Sequence, residues 1–448
     1  MATLTQQRPT PKAAPTNGDA TLDRIAALYR EPEWLTRARR DALAAYAGSA
    51  LPDRVTHLWR YTAPEQFIPQ DGAAALAAPS ASGKREFPSV LADELGPESV
   101  AAAAYIREGL VWKTAVDEEL SRAGLLIMDL HEGAQQKPEL VQQHLGSLIG
   151  ADFGKFEAFT NAAWSGGLLV YVPRGLELSR PVHLVTAQPV HLTDVAGRLL
   201  VIVDEGASLT LIDEYGDGAA ASIPQRTHHI VEAFVGRGAR FTYAPIQNWN
   251  RNTTSYMTQR ARLDSDARID VVMTSMGGAS AKVDCGTILS APGGESNIYG
   301  LAIGDQSQRF DHHTVHRHAS GRTRSDLKFK VALRDNADSV YTGLIRIDEK
   351  SAFCEAYQEN RNLILSPKAK AESIPELEIL NNEVRCSHGA TVGRIDEQEI
   401  FYCESRGIDR AEAIRLIVAG FIEPIVQHVP DIAQSRLRST IIRRLEER

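Results

Sequence analysis

Cysteine, positive charge and long apolar runs are all in short supply in this 448-residue sequence, and each shortage excludes something. Four cysteines (Cys285, Cys354, Cys386 and Cys403) cannot form a disulfide framework in so long a chain. Free thiols in a reducing cytoplasm fit that usage. No apolar run approaches the roughly 18 residues that would suggest a membrane span. Residues 1–20, MATLTQQRPTPKAAPTNGDA, lack the apolar core of a secretory signal and read as a disordered leader. A formal charge of −8 argues against a nucleic-acid binder, which needs a basic face for phosphate. Walker A, G-x-G-x-x-G after a strand, G-x-S-x-G and H-E-x-x-H are all missing. The chain is therefore not expected to bind or hydrolyse nucleotides, or to work as a zincin or α/β-hydrolase.

What is present is ordinary globular material, 43% hydrophobic and 24% charged, long enough for more than one domain. Residues 21–150 read as a mostly helical N-terminal region. Leu22, Ile25, Ala26 and Tyr29 recur at helical spacing, and Trp34, Leu35, Ala38 and Ala42 continue it. An apolar–aromatic cluster with a proline follows at Leu58–Phe67, LWRYTAPEQF, then an Ala-rich linker at Asp71–Gly83. Two further segments lie near Phe87–Tyr105 and Glu139–Leu148.

Residues 151–390 read as β-structure. One pattern recurs: a tight corner, then an alternating strand. GASLTLID (Gly206–Asp213), GARFTYAP (Gly238–Pro245) and DARIDVVM (Asp266–Met273) are clear copies. GESNIYGL (Gly294–Leu301), NADSVYTG (Asn336–Gly343) and KAESIPEL (Lys370–Leu377) are looser ones. Their spacing of about 28 to 42 residues marks stacked repeats. Each coil of such a stack buries its inward residues only against the next. A sandwich would turn every 8–12 residues without a repeated corner. A parallel β-helix is the expected core, with helical ends covering the edges that a stack exposes.

Residues 391–448 read as a helical region able to dock a partner. Asp396 with Glu399, and Asp409 with Glu412, have capping-box spacing; Gly407 is placed to end the first helix, and Pro424 to bend or interrupt the second. At the junction, in EVRCSHGATVGRID, extended backbone puts Cys386 and His388 on one side. Thiolate and imidazole together suit iron, zinc or an iron–sulfur cluster. Two ligands do not close a tetrahedral site, so Cys354 or Cys403 folds back on them, or another chain completes it. The alternative is a buried thiol beside a hydrogen-bonded histidine. Cys285, Cys354 and Cys403 also suit small core positions. His312, His313, His316 and His318 in DHHTVHRHASG suit a transition metal, a solvated strand end or an intersubunit contact. The acid pairs Asp204/Glu205 and Asp213/Glu214 leave open a β-helix carbohydrate-active enzyme, which needs acids converging in a groove.

NAAWSGGLLVYVPRG, VDEGASLTLIDEY, IQNW, PELEIL followed by VRCSHGATVGRID, and FYCESRGI resemble the SufB/SufD family of iron–sulfur cluster assembly proteins. EPEWLTRARRDAL and the WRYT at Trp59–Thr62 are similar to the SufD branch. The resemblance implies a right-handed parallel β-helix between helical ends, and a cytoplasmic, non-enzymatic scaffold. It implies pairing with a SufB-like homologue through the β-helix and with a SufC-like ATPase through the C-terminal helices, with a homodimer as the form when alone. By the same resemblance, His388 and Cys386 are candidate ligands for iron or a transient cluster shared with that homologue. SufB-type chains carry a glutamate where Gly389 stands, a cysteine near Ala369 and an N-terminal cysteine cluster. Lacking these, the sequence favours the SufD branch, with a SufB-type scaffold as the alternative.

Overall fold

The computed structural model describes residues 18–70, 98–189, 192–216 and 223–446. The expected linker and all but the last three residues of the leader lie outside the described residues, as does the first part of the segment near Phe87–Tyr105.

The recurring corners fold into two long sheets. The first holds β1 (Ala102–Arg107), β2 (Leu110–Val116), β5 (Val182–Thr186), β7 (Ser208–Tyr215), β9 (Arg240–Gln247), β11 (Arg268–Ser275), β13 (Glu295–Gly304), β15 (Arg324–Leu333), β17 (Glu355–Ile364) and β19 (Arg385–Arg394). The second holds β3 (Leu126–Asp129), β4 (Gly166–Val172), β6 (Asp194–Val203), β8 (Gln225–Val235), β10 (Thr253–Leu263), β12 (Ser280–Leu289), β14 (Arg309–His318), β16 (Asp338–Ile347) and β18 (Lys370–Ile379). From β4 onward the strands alternate between sheets and pair in parallel with the strand one coil away, so the core is a parallel β-solenoid of about eight coils.

Corners explain the repeat. Gly206, Gly238, Asp266, Gly293, Arg322 and Phe353 all have positive φ, from 55° to 77°, at the same corner of successive coils. Each donates its N–H to the corresponding corner of the next coil, as Gly238 does to Ser265 O at 2.9 Å and Arg322 to Ala352 O at 2.8 Å. A left-handed backbone there favours glycine or aspartate, which is why the corner shows in the sequence. The first four copies of the pattern are β7, β9, β11 and β13, all in one sheet. The last two are β16 and β18, in the other sheet, so the widest spacing is one and a half coils.

The N-terminal region is less helical than its alanines imply. Helices α1 (Gly18–Tyr29) and α2 (Glu33–Gly48) form as expected, followed later by α3 (Glu118–Arg122), α4 (Leu130–Gln136), α5 (Pro138–His144) and α6 (Lys155–Ala163). However, Ala102–Ala104 lie in a buried strand, β1, which pairs antiparallel with β2 and parallel with β5. Sheet pairing overrides alanine's helical preference there. This hairpin, with Val111, Val116 and Leu120 packed on the core, closes one end of the solenoid.

Among the described residues nothing covers the other end, contrary to the expectation that helices cover both. Helices α7 (Glu397–Ser405), α8 (Arg410–Val426) and α9 (Asp431–Glu446) fold back instead. Val418, Ile422, Ile425, Val429, Leu437 and Ile441 bury against Ile212, Val272, Tyr299, Leu301 and Ala332 on the outer face of the first sheet. Asp396 accepts from Gln398 N–H at 2.8 Å and Asp409 from Glu412 N–H at 3.0 Å, so both expected caps form. Gly407 has φ 83° just past α7. Pro424 sits in the last turn of α8, which ends two residues later.

The aromatic–proline segment is a strap across the outside of the second sheet. Gln70 N–H meets the Asp194 carboxylate on β6, Arg226 on β8 donates to Gln66 O at 3.0 Å, and His57 Nε2 lies 2.8 Å from Glu376 on β18. Trp59 and Phe67 pack with Phe156 and Tyr256 between these points. Beneath them the fully buried Lys282 Nζ lies 2.8 Å from Asp311, which also accepts from Thr62 of the strap. Burial alone would raise the Asp311 carboxyl; the Lys282 ammonium and His313 outweigh it and hold it well below the ordinary range.

Asp311→Ala is expected to cost roughly 3–5 kcal/mol, because it strands a buried ammonium. Urea denaturation at neutral pH checks this. The carboxylate's contribution should be complete above its unfolded pKa of about 3.9 and fade only as pH falls below that.

Candidate functional site

Position in the stack decides which inward side chains can be reached. Cys386 stacks on Ala356, and His388 on Gln358, which stacks on Leu327 and then Ile298. Leu327 and Ile298 are core residues, so Cys386 and His388 point into the lumen of the solenoid. β19 ends its sheet, and β18 ends the other. Gln358, one coil down, is 1% exposed, whereas His388 is exposed and Cys386 half-buried. Across the mouth, Ser373, Leu377 and Ile379 of β18 continue the inward columns of Tyr341, Ile345 and Ile347. Leu377, Ile379 and Val392 are 38%, 37% and 52% exposed around the thiol and the imidazole. Apolar groups gathered on an open sheet end mark a contact surface.

Of the two cysteines expected to fold back, the structure brings Cys354. Its side chain lies in an apolar cluster with Ile345, Ile347 and Ala356, and Cys386 packs onto that cluster. Burial, with Cys354 adding to it, pushes the Cys386 thiol up, while a backbone hydrogen bond from Ala356 pulls it the other way. Cys354 Sγ lies 3.3 Å from both Ser351 O and Thr323 Oγ1. Cys403 sits on α7, outside the cluster, and is half-buried rather than a core residue. Cys285 and Cys354 are buried, as small core residues would be.

The histidine cluster is neither a solvated strand end nor a surface contact. His312, His316 and His318 face the lumen and are buried, and His313 turns outward to lie 3.0 Å from Asp311. His312 Nε2 meets Ser275 Oγ at 2.9 Å, and His318 meets Thr323 and Ser325 hydroxyls at 2.7 and 2.9 Å. Arg317 points the other way, to Asp348 at 2.9 Å. Among the described residues no three His, Cys, Asp or Glu side chains come close enough to hold a metal ion. The acid pairs do not converge either. Asp213 faces the lumen, accepting from Tyr215 and Tyr243 hydroxyls at 2.6 and 2.7 Å, and burial pushes it up to about 6. Glu214 lies beside His183 and Arg436 on the opposite face, and Glu205 pairs with Arg174 and Arg237 at a corner.

Comparison with known proteins decides what carries this open coil. The family described as "SUF system FeS cluster assembly, SufBD core domain" matches residues 185–421, and "SufBD protein N-terminal region" matches residues 25–184. The chain belongs to the SufBD family. A Staphylococcus saprophyticus protein described as an iron-sulfur cluster assembly SufBD family protein is 27% identical over 418 residues, covering 91% of this chain and 88% of that one. A Staphylococcus aureus protein (strain MRSA252) with the same description matches at 27% with the same coverage, and one from strain USA300 at 26% over 420 residues. For a SufBD protein of the SUF system, iron and the iron–sulfur cluster are cargo. The residues at the open coil, one thiol and one imidazole with a second thiol beneath, have the donor chemistry that such cargo takes.

Sequence reasoning missed how deeply the SufBD fold buries its histidines, in the lumen and beneath the elements packed on the outer faces. The alternation of DHHTVHRH, with His312, Thr314, His316 and His318 on one parity, was the available signal. Burial pushes His228 and His316 down to about 3, and His183, His229, His312 and His318 down to about 4. Between pH 6.5 and 4 the unfolded chain binds protons that these rings refuse in the fold, so each costs about 1.4 kcal/mol per pH unit there. Asp213 acts oppositely for one proton, since the fold raises it. Net stability should therefore fall by several kcal/mol from pH 7 to pH 5. Urea midpoints at the two pH values check this.

Proposed function

We propose that this chain is a SufD-like scaffold subunit of the SUF assembly machinery, acting in iron acquisition and nascent-cluster assembly rather than as an enzyme. The observation that carries this reading is the open coil: Cys386 and His388 sit in lumen positions with no coil above them, between two unpaired strand edges. Thiol and imidazole are too few to hold a metal alone. A SufB-like homologue docking end to end would supply the missing donors and cover Leu377, Ile379 and Val392. The outward faces favour such docking too. Arg268 meets Glu295 at 3.2 Å and Arg385 meets Glu355 at 3.6 Å, and the last arginine has a partner on one side only.

A SufC-like ATPase docks, in this reading, on the C-terminal helices. What supports it is α7, which buries only Ile400 and leaves Phe401 and Tyr402 70% and 61% exposed. No nucleotide loop is present in the chain, so the energy of ATP would come from that partner. A cytoplasmic setting follows from the free thiols. Gly389, in place of the glutamate of SufB-type chains, favours the SufD branch over a SufB-type scaffold.

His388→Ala should leave the fold intact, since the ring is exposed in the chain. Cluster assembly by the reconstituted complex should fall about tenfold or more, the scale at which metal sites respond to lost support. Full assembly by that variant would remove the site. Efficient assembly by the chain alone, without a homologue, would favour the SufB-type reading.

A further inference from the structure

We infer that Cys354 and Cys386 form a two-thiol site for a soft, thiolate-seeking metal ion of the Zn2+ and Cu+ class, at the mouth of the lumen. The inference deepens the reading above, because Cys386 belongs to both. The two thiols come from successive coils. Ala356 and Cys386 are register partners, and Cys354 lies two residues before Ala356, with its carbonyl accepting from Arg385 N–H at 2.9 Å. Cys386 packs onto the cluster that contains Cys354. One thiol is half-buried at the opening; the other is buried one coil down, two residues along from the position beneath it.

The inner thiol also sits against a polar chain. Cys354 Sγ contacts Thr323 Oγ1 at 3.3 Å, that hydroxyl meets His318 Nδ1 at 2.7 Å, and His318 Nε2 meets Ser325 Oγ at 2.9 Å. Binding a divalent ion converts two thiols and M2+ into a dithiolate complex and two protons. The Cys386 proton leaves through the mouth to water. The Cys354 proton follows it to water as the ion displaces the weak S–H contacts to the Ser320 and Ser351 carbonyls. Two thiolates without a carboxylate select soft ions over Mg2+ or Ca2+. Ile345, Ile347 and Ala356 keep water from the inner sulfur.

The test is an anaerobic titration of the reduced, full-length chain with Cd2+, read by thiolate-to-metal charge-transfer absorbance. The wild type should bind one ion, and Cys386→Ser and Cys354→Ser should each weaken binding about tenfold or more, as loss of a ligand does. Cys403→Ser should bind as the wild type does. Wild-type affinity in Cys386→Ser, or in folded Cys354→Ser, overturns the site, as does loss of binding in Cys403→Ser. Cys354 is buried, so its variant can fail to fold; the 113Cd resonance of the wild type then decides, with two thiolate ligands expected and a single one overturning the inference. The readout is binding by the isolated chain. Its failure leaves the cluster-assembly reading standing, whereas full assembly by His388→Ala sinks that reading and leaves the two-thiol site in place.

Discussion

One constraint governs this molecule: an inward side chain is buried only by the coil stacked above it. The ladders from β10 through β18, and from β13 through β19, run in register without a slip, so inward columns continue from coil to coil. A one-residue slip would turn every column outward, which is why register is strongly specified where one face is buried. The corner residues with positive φ pass a backbone hydrogen bond from each coil to the next and hold the same register at the turns. Burial, polar satisfaction and access at any lumen position all follow from how many coils lie beyond it.

The two ends of the stack are treated differently. At the N-terminal end an antiparallel hairpin packs Val111 and Val116 on the core, joined by Leu120 of α3. At the C-terminal end the chain leaves β19 and turns back along the first sheet, spending the apolar faces of α8 and α9 on Ile212, Tyr299 and Leu301 rather than on the open edge. An uncovered pair of parallel edges is a hazard that proteins ordinarily blunt. Here the strap offers only a partial remedy, reaching β18 through His57 and Glu376 on the outer face while leaving the lumen side open. In the proposed reading, this end is where another chain docks.

Much of this could be read from the residues. Corners such as Gly206, Gly238 and Asp266 need a left-handed backbone, which leaves a chemical trace, and the solenoid followed from their spacing. Asp396 and Asp409 wrote their caps plainly, because a capping carboxylate serves a local N–H. The same-side placement of Cys386 and His388 needed nothing beyond the two-residue period of a strand. Long-range pairing left no such trace. Ala102–Ala104 look helical until β5 lies beside them, and nothing local ties Thr62 to Asp311. The direction in which α8 and α9 fold back depends on an apolar stripe assembled from five separate strands, which no single segment displays.

The lumen itself contains a comparison for the proposed site. Cys285 and His312 have the same side chains as Cys386 and His388, and they face the same lumen from adjacent strands of the second sheet. Both are fully buried; burial pushes the Cys285 thiol up to about 12 and the His312 ring down to about 4, so neither is ready to meet a cation from solution. The side-chain chemistry and the inward orientation are shared; strand and sheet differ, and depth is what removes access. A thiol–imidazole pair in an inner coil is part of the core; moved to the last coil, it becomes a set of donors with an opening above it. Residue identity alone does not make the site, and a single additional coil, whether from this chain or from a partner, would close it.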